Sequence, residues 1–522
     1  MHGTIVGAFR HACKNFADRE AITFGDQRIT YAELGARTSQ TARALVTLGN
    51  EPGKGSEPGE RVAMLVPNCP EFLYTAYGIW SSGLAWTQLQ PLGGVASWGY
   101  CLNDARVNTL VYHAGFADAV EAMKPSLETV KHFVTIGGGD QAGDPDLMQL
   151  AEKEDDSFPD FGVTTQTVHS VGYSSGTTGL PKGIVWTAGS WWNALVAFML
   201  EMPEILGGRF MHVAPLTHMT SIFVLPTWIR GGSNVLLTGL DPSLWFSTIE
   251  KEKITGTAIV PTILYMLMEN PEISRHDLST LETMVYGGSP MAPEKLKQGL
   301  EVFGRIFLQG YACSEGGAIS VLPKRDHTPE RPERLGSAGR PVVTAEVMLV
   351  DPESGAPVPP GEPGEIAVRS AHHMASYWDP SKNAETMRPD GYVLTGDIGK
   401  FDADGYLTIV DRKKDIIITG GFNIFPRDVE DVIFEHPAVQ EVAVIGVPDD
   451  KWGEAIKACV VLKYGQQTSA QDIIALVKEK KGSVYAPKSI DFVPAIPQTP
   501  QGKHDKKVLR APYWEGNERA VH

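Results

Sequence analysis

Cysteine is scarce in this chain. The five present, Cys13, Cys69, Cys101, Cys313 and Cys459, are scattered without CxxC spacing. That excludes a zinc knuckle and a disulfide framework, so a reducing, cytoplasmic compartment is expected. Long apolar runs are missing as well. Even residues 191–202 are interrupted by Asn193 and Glu201, far short of the roughly 20 apolar residues a bilayer requires, so no integral membrane segment is expected. Residues 1–20 carry Arg10, His11, Lys14, Asp18, Arg19 and Glu20 and no apolar core, so no secretory signal is expected either. Excess positive charge is absent: the formal net charge of −16 excludes nucleic acid as a general partner. From Arg412 onward 16 Lys and Arg face 15 Asp and Glu, which leaves −17 on residues 1–411. An acidic body therefore precedes a near-neutral, lysine-rich tail, as a lid that meets phosphates would have. Two unrelated surfaces would give the same split.

With 522 residues, 42% hydrophobic and 21% charged, the chain reads as globular with two or more domains. Residues 21–29 read as a hairpin turning at Gly25-Asp26. A helix follows, with Thr30 as N-cap, Glu33 closing a capping box, and Leu34, Ala42, Leu45 and Leu48 on its buried stripe. Strands at 62–66, 85–89 and 108–111 alternate with helices at 70–82 and 116–123, the pattern of parallel α/β layers. Such layers bind ligands beyond the carboxyl ends of their strands.

The stretch that organises the rest is 174–183, Ser-Ser-Gly-Thr-Thr-Gly-Leu-Pro-Lys-Gly, preceded by a short strand at 168–173. It reads as a loop throughout. Gly176, Gly179 and Gly183 permit positive φ and close approach, Ser174, Ser175, Thr177 and Thr178 supply hydroxyls, and Lys182 supplies a fixed charge. This suits a polyphosphate. It is not a Walker A loop, because Lys182 follows Pro181 and precedes Gly183. The decapeptide resembles the phosphate-binding signature of the acyl-adenylate-forming enzymes: acyl- and aryl-CoA synthetases, firefly-type luciferases and nonribosomal adenylation domains.

Further matches follow in order over nearly the whole chain. Strands at 210–215, 255–260 and 283–286 lead into His218 and into the Gly287-Gly288-Ser289-Pro290 turn, whose backbone can bond a purine edge. Residues 306–315 carry Gln309, Gly310, Tyr311, Ser314 and Glu315, with Ala312 and Ser314 where the family pattern Tyr-Gly-x-Thr-Glu has Gly and Thr. Tyr311 can stack on adenine and Glu315 can hold magnesium. Strands at 342–350 and 364–368 suggest a small antiparallel sheet before Asp397, which can accept ribose hydroxyls. A charged run leads from Arg412 to Asp415, then a β-branched run reaches Gly420-Gly421. Helices at 426–435 and 470–481, strands at 442–445 and 458–462, and Gly502-Lys503 complete the chain.

The resemblance implies an α/β fold: a large N-terminal domain, residues 1–411, of layered α/β subdomains plus a small β-barrel-like region, and a small mobile α+β lid, residues 412–522. It implies ATP, Mg2+ and coenzyme A, with a small carboxylic acid activated to acyl-AMP and transferred to the thiol. His218 takes the wall where the acyl carboxylate enters, and Lys503 the carboxylate and α-phosphate. Ser174 joins Glu315 at the metal. Asp397 and Arg412 hold the ribose or a phosphate, Lys414 is the hinge, and Gly420 and Gly421 admit the pantetheine arm. The 411–415 and 421–423 stretches look most like fatty-acyl-CoA synthetases. An aryl-CoA ligase and a non-catalytic acyl or nucleotide sensor are the alternatives, and a homodimer is left open. Leu216, Phe223 and Trp228 suit an apolar acyl pocket or the core equally well.

Overall fold

The computed structural model describes residues 3–53, 59–138, 143–174, 181–217, 219–289, 291–499 and 504–515, with the backbone alone for Ser174. Local chemistry sets the elements where it was legible. The Glu20–Phe24 and Gln27–Thr30 strands pair as a hairpin, and the Tyr31–Thr47 helix starts at Thr30 with the full capping box. Thr30 N–H donates to Glu33 Oε2 at 2.8 Å, and Glu33 N–H donates to Thr30 Oγ1 at 3.2 Å. Leu34, Ala42 and Leu45 are buried under that helix, and Leu48, its C-cap, is half-buried. The Pro70–Ser81 helix has proline at its first position and buries every residue except Glu71, so it packs on all sides rather than along one stripe.

Two large mixed sheets carry the body. The first runs Arg340–Pro341, Gly317–Leu322, Phe307–Cys313, Thr283–Gly287, Gly256–Ile259, Arg209–His212, Ser233–Leu236, Glu20–Phe24, Gln27–Thr30. It is parallel from Phe307–Cys313 to Glu20–Phe24 and antiparallel at both edges. The second runs Ser376–Tyr377, Lys182–Thr187, Val168–Ser174, Ala85–Gln88, Arg61–Leu65, Val107–His113, His132–Ile136, and is parallel from Val168–Ser174 onward. Both have the crossover topology that the alternating sequence pattern predicts.

The small antiparallel region is a four-stranded sheet, Ala345–Val350, Gly364–Ser370, Val393–Phe401, Leu407–Arg412. Its Leu349, Ile366, Val368, Val393 and Leu407 pack on Ile319 of the first large sheet. The last sheet is built from Ile417–Thr419, Phe422–Ile424, Val439–Asp449, Gly453–Leu462 and Ser489–Phe492. The Pro426–Phe434 and Ala470–Lys481 helices close its core over Ile417, Val429, Val444, Ile456 and Val477. Trp228 is fully buried against Phe9 and Tyr77, with its Nε1 donating to Ala21 O at 2.8 Å, so it belongs to the core and not to a pocket wall. Leu216 joins the same core.

Candidate active site

The phosphate-loop expectation needs one correction. Ser174 and Lys182 are paired residues of antiparallel strands, Val168–Ser174 and Lys182–Thr187, so both ends of the decapeptide are strand rather than loop. The ladder persists because Gly183 can lie against Trp378: a Cβ at 183 would stand 2.9 Å from Trp378 Cβ. Three hydrogen bonds brace the base. Tyr173 Oη donates to Asp104 Oδ2 at 2.6 Å, Trp378 Nε1 to Asp104 O at 2.9 Å, and Tyr100 Oη to Pro181 O at 3.2 Å. Ser175, Gly176, Thr177, Thr178 and Gly179 lie outside the described residues, as do His218, Pro290, Gly502 and Lys503.

Lys182 projects from this strand pair onto a wall that the sequence did not advertise. Its Nζ stands 3.1 Å from Glu385 Oε2 and 5.3 Å from the centre of the Tyr377 ring. Tyr377 Oη in turn donates to Glu315 Oε1 at 3.2 Å, so one side chain touches both the lysine and the acidic residue. Burial pushes the Glu315 carboxyl up, against the opposing pull of its hydrogen bonds and of Arg412. No group of three or more His, Cys, Asp or Glu side chains gathers as a metal site among the described residues. A lone half-buried carboxylate fits Mg2+, which takes one or two protein oxygens and completes its shell with phosphates and water.

The strands Thr283–Gly287 and Phe307–Cys313 approach closely where both carry glycine. A Cβ at Gly287 would lie 2.6 Å from Gly310 O. Gly288 takes φ +78°, turning the chain at Ser289. Gln309 Oε1 is buried without a hydrogen-bond partner among the described residues, an acceptor left over for a ligand donor. Tyr311 Oη donates to Asp397 Oδ2 at 2.7 Å, and Arg412 Nε lies 2.8 Å from Asp397 Oδ1. Burial and the Asp397 carboxylate push the Tyr311 hydroxyl well up, and Asp397 likewise raises Arg412. Trp186 Nε1 fixes the main chain at Ser314 O, 3.1 Å away.

Beyond Arg412 the anchoring changes hands. Lys413 Nζ binds Glu365 Oε2 at 2.9 Å and Pro352 O at 3.0 Å, both in the small antiparallel region. Asp415 instead pairs with Arg510 of the Lys506–Trp514 helix at 2.7 Å. Lys414 sits between them, its ammonium lowered first by burial. Asp411, pushed up to about 6 by burial, accepts the Arg427 N–H at 2.8 Å at the start of the Pro426–Phe434 helix. Gly420 and Gly421 form a two-residue hairpin turn at φ +57° and +83°, and Trp452 lies over it, 2.6 Å from where a Gly420 Cβ would be.

These features can hold a polyphosphate, a divalent cation and a nucleoside side by side. A family model described as AMP-binding enzyme matches residues 9–378, and one described as AMP-binding enzyme C-terminal domain matches residues 428–503. The chain belongs to the AMP-binding enzyme family. Among AMP-binding enzymes it is similar to the medium/long-chain-fatty-acid–CoA ligase FadD8 of Mycobacterium tuberculosis, with 38% identity over 98% of this chain and 90% of the relative. It is 34% identical to a feruloyl-CoA synthase of Amycolatopsis over 94% of this chain and 95% of that one. Its fold matches the amide bond synthetase McbA from Marinactinospora thermotolerans at TM-score 0.88 and 29% identity, covering 98% and 100% of the two chains. Tyr377, Glu385 and Trp452 were not singled out from sequence. Tyr377 and Glu385 belong to no pattern with chemical spacing, and Trp452 reaches the glycine turn only through strand pairing.

Proposed function

We propose that this AMP-binding enzyme activates a carboxylic acid, foremost a medium- or long-chain fatty acid, by joining it to AMP from ATP with release of pyrophosphate, and then transfers the acyl group to the thiol of coenzyme A. The observation that supports this reading is the chain of contacts Lys182–Tyr377–Glu315 beside Tyr311–Asp397–Arg412, which suits Lys182 to phosphate, Glu315 to a metal ion and the second cluster to a nucleoside. A carboxylate has no good leaving group, and both reactants are anions, so charge compensation and alignment are the main tasks. Lys182 neutralises the β- and γ-phosphates. Glu315, with Ser174, would hold Mg2+, which supplies positive charge at the phosphate oxygens. Asp397 and Arg412 orient the ribose, Gln309, Gly310 and Tyr311 take the base with Gly288 and Ser289, and Lys503 aligns the acid with His218 at the entry wall.

The side chains packed around Gly310 are apolar. A Cβ at Gly310 would meet Met202 Cε at 3.0 Å and Phe198 at 3.5 Å, within an apolar cluster that includes Phe223 and Met219. Thr220, which follows Met219, bonds His212 at 2.7 Å, so that pair offers little to a hydroxylated ring.

For the second half-reaction, residues 412–522 act as a lid that turns about Lys414 and brings the Gly420-Gly421 turn, with Trp452, to the pantetheine arm. The opposed anchors of Lys413 and Asp415 support this hinge. The five free cysteines suit a reducing compartment, and the cytoplasm is the proposed one. The test is ATP-dependent pyrophosphate release over saturated fatty, aryl-propenoic and branched acids, with and without coenzyme A. Release with fatty acids and a thioester product supports the reading. Absence of release with every acid overturns it in favour of a non-catalytic binding protein.

A further inference from the structure

Lys182 already has an anionic partner of its own. Glu385 ends the short helical segment Pro380–Glu385, and its Oε2 lies 3.1 Å from Lys182 Nζ. The segment is wrapped around Tyr377. Asn383 Oδ1 accepts the Tyr377 N–H at 2.8 Å, and Thr386 Oγ1 lies 3.3 Å from Tyr377 Oη. The Glu385 carboxylate is thereby carried to the lysine on the side where Tyr377 meets Glu315. Its side chain is 71% exposed against 22% for Lys182. An ion pair so open contributes almost nothing to folding stability, so the fold alone gives no reason for a carboxylate at this position.

We propose that Glu385 is a positioning residue that holds the Lys182 ammonium when no polyphosphate is bound and recaptures it as pyrophosphate departs. This rests on the reading of Lys182 as the phosphate-binding lysine. The two anions compete for one cation, so every polyphosphate that binds must first separate the pair, and the pair re-forms when it leaves. Glu385 therefore weakens ATP and pyrophosphate alike, a useful property after the first half-reaction, when pyrophosphate must clear the site before the thiol arrives. Because the carboxylate is exposed, it can swing into solvent while ATP is bound.

The experiment compares wild type, Glu385→Gln, Glu385→Asp and Lys182→Ala in the full-length enzyme, each checked for an unchanged melting temperature. The readouts are KM for ATP, pyrophosphate inhibition against ATP, and the single-turnover rate of acyl-AMP formation at saturating ATP. Glu385→Gln is expected to tighten both ATP and pyrophosphate about two- to fivefold, with a smaller change in the single-turnover rate, and to lose that difference as salt is raised. Glu385→Asp is expected to restore wild-type behaviour in part. Unchanged pyrophosphate inhibition in Glu385→Gln, with Lys182→Ala weakening it about tenfold or more, overturns the inference and leaves the Lys182 assignment standing. Unchanged ATP and pyrophosphate affinity in Lys182→Ala overturns that assignment, and the inference with it.

Discussion

Arg412 and Asp397 face each other across paired strands, with Nε 2.8 Å from Oδ1, at the last residue of the Leu407–Arg412 strand. The carboxylate is buried, and its other oxygen takes the Tyr311 hydroxyl. One aspartate thus joins the first large sheet, the small antiparallel sheet and the chain entering the C-terminal unit. A ligand hydroxyl that reaches Asp397 meets a charge already fixed in direction by two partners, which is the preorganisation that orienting a nucleoside needs.

Removing that charge should be felt as lost nucleotide affinity. A hydrogen bond to a charged group is worth about 1.5–3 kcal/mol, so Asp397→Ala should raise KM for ATP about 10- to 100-fold. Tyr311→Phe keeps the ring and loses only the hydroxyl, so it should cost less than Asp397→Ala. Pyrophosphate release against ATP concentration measures both. An unaltered KM in Asp397→Ala would rule out the ribose role.

The proposed thiol path over the glycine turn predicts that the two half-reactions can be separated there. Gly420→Ala places a methyl 2.6 Å from the Trp452 ring at φ +57°, whereas at Gly421 the added methyl meets nothing within 4 Å and only the φ of +83° resists it. Left-handed backbone alone costs roughly 1–2 kcal/mol, so Gly421→Ala is the control for strain and Gly420→Ala adds displacement of Trp452. Thioester formation from supplied acyl-AMP should fall about tenfold or more in Gly420→Ala, with adenylation nearly intact. Equal loss of both activities would remove the turn from the thiol path.

Much of this was legible in the chain because the relevant signals are local. The capping box at Thr30 and Glu33, the proline-led helix at Pro70, and the strand–helix alternation follow from neighbouring residues alone, and the structure agrees at each. The spacing of Tyr311 and Glu315 placed both at the end of the Phe307–Cys313 strand, again a local matter. What escaped depends on distant pairing. That Lys182 belongs to a strand follows from the ladder of Lys182–Thr187 with Val168–Ser174, which no stretch of ten residues encodes. Tyr377, Glu385 and Trp452 reach their places by the same route. Leu216 and Trp228 read equally as pocket or core, since burial is a property of the packed molecule.

His169 predicts a pH dependence of stability. Its ring lies 4.3 Å from Trp80 and 5.3 Å from Trp191, nearly parallel to both, and neither nitrogen has a hydrogen-bond partner among the described residues. Burial pushes the imidazole down to about 3, so it stays neutral in the fold while the unfolded chain binds a proton below the usual histidine range of about 6.5. Between those values the unfolded state holds more protons, so this group's contribution is constant above about pH 6.5 and stability is lost as pH falls toward 3. His169→Phe keeps the aromatic stack and removes the proton linkage. Relative to wild type it should be stabilised more at about pH 5 than at about pH 8, by on the order of 2 kcal/mol between the two. Chemical denaturation at both values measures it, and an identical difference at the two would refute the linkage.

The hinge assignment makes the sharpest demand, because it requires one residue to matter for passage between states. Lys413 is tied to Glu365 and Asp415 to Arg510, so the proposed rotation at Lys414 would move the second anchor relative to the first without breaking either pair. Lys414→Pro fixes φ near −65°, and a pivot at this residue would have to change that angle between its two proposed lid orientations. The variant should therefore keep one half-reaction and lose about tenfold or more of the other, with thermal stability retained. Arg510→Ala supplies the contrast: it loosens the second anchor without restricting rotation, so both half-reactions should fall together. Separate assays of acyl-AMP formation and of thioester formation from supplied acyl-AMP decide the matter. Parallel loss in Lys414→Pro, with folding intact, would place the pivot elsewhere in the segment between Arg412 and Ile417.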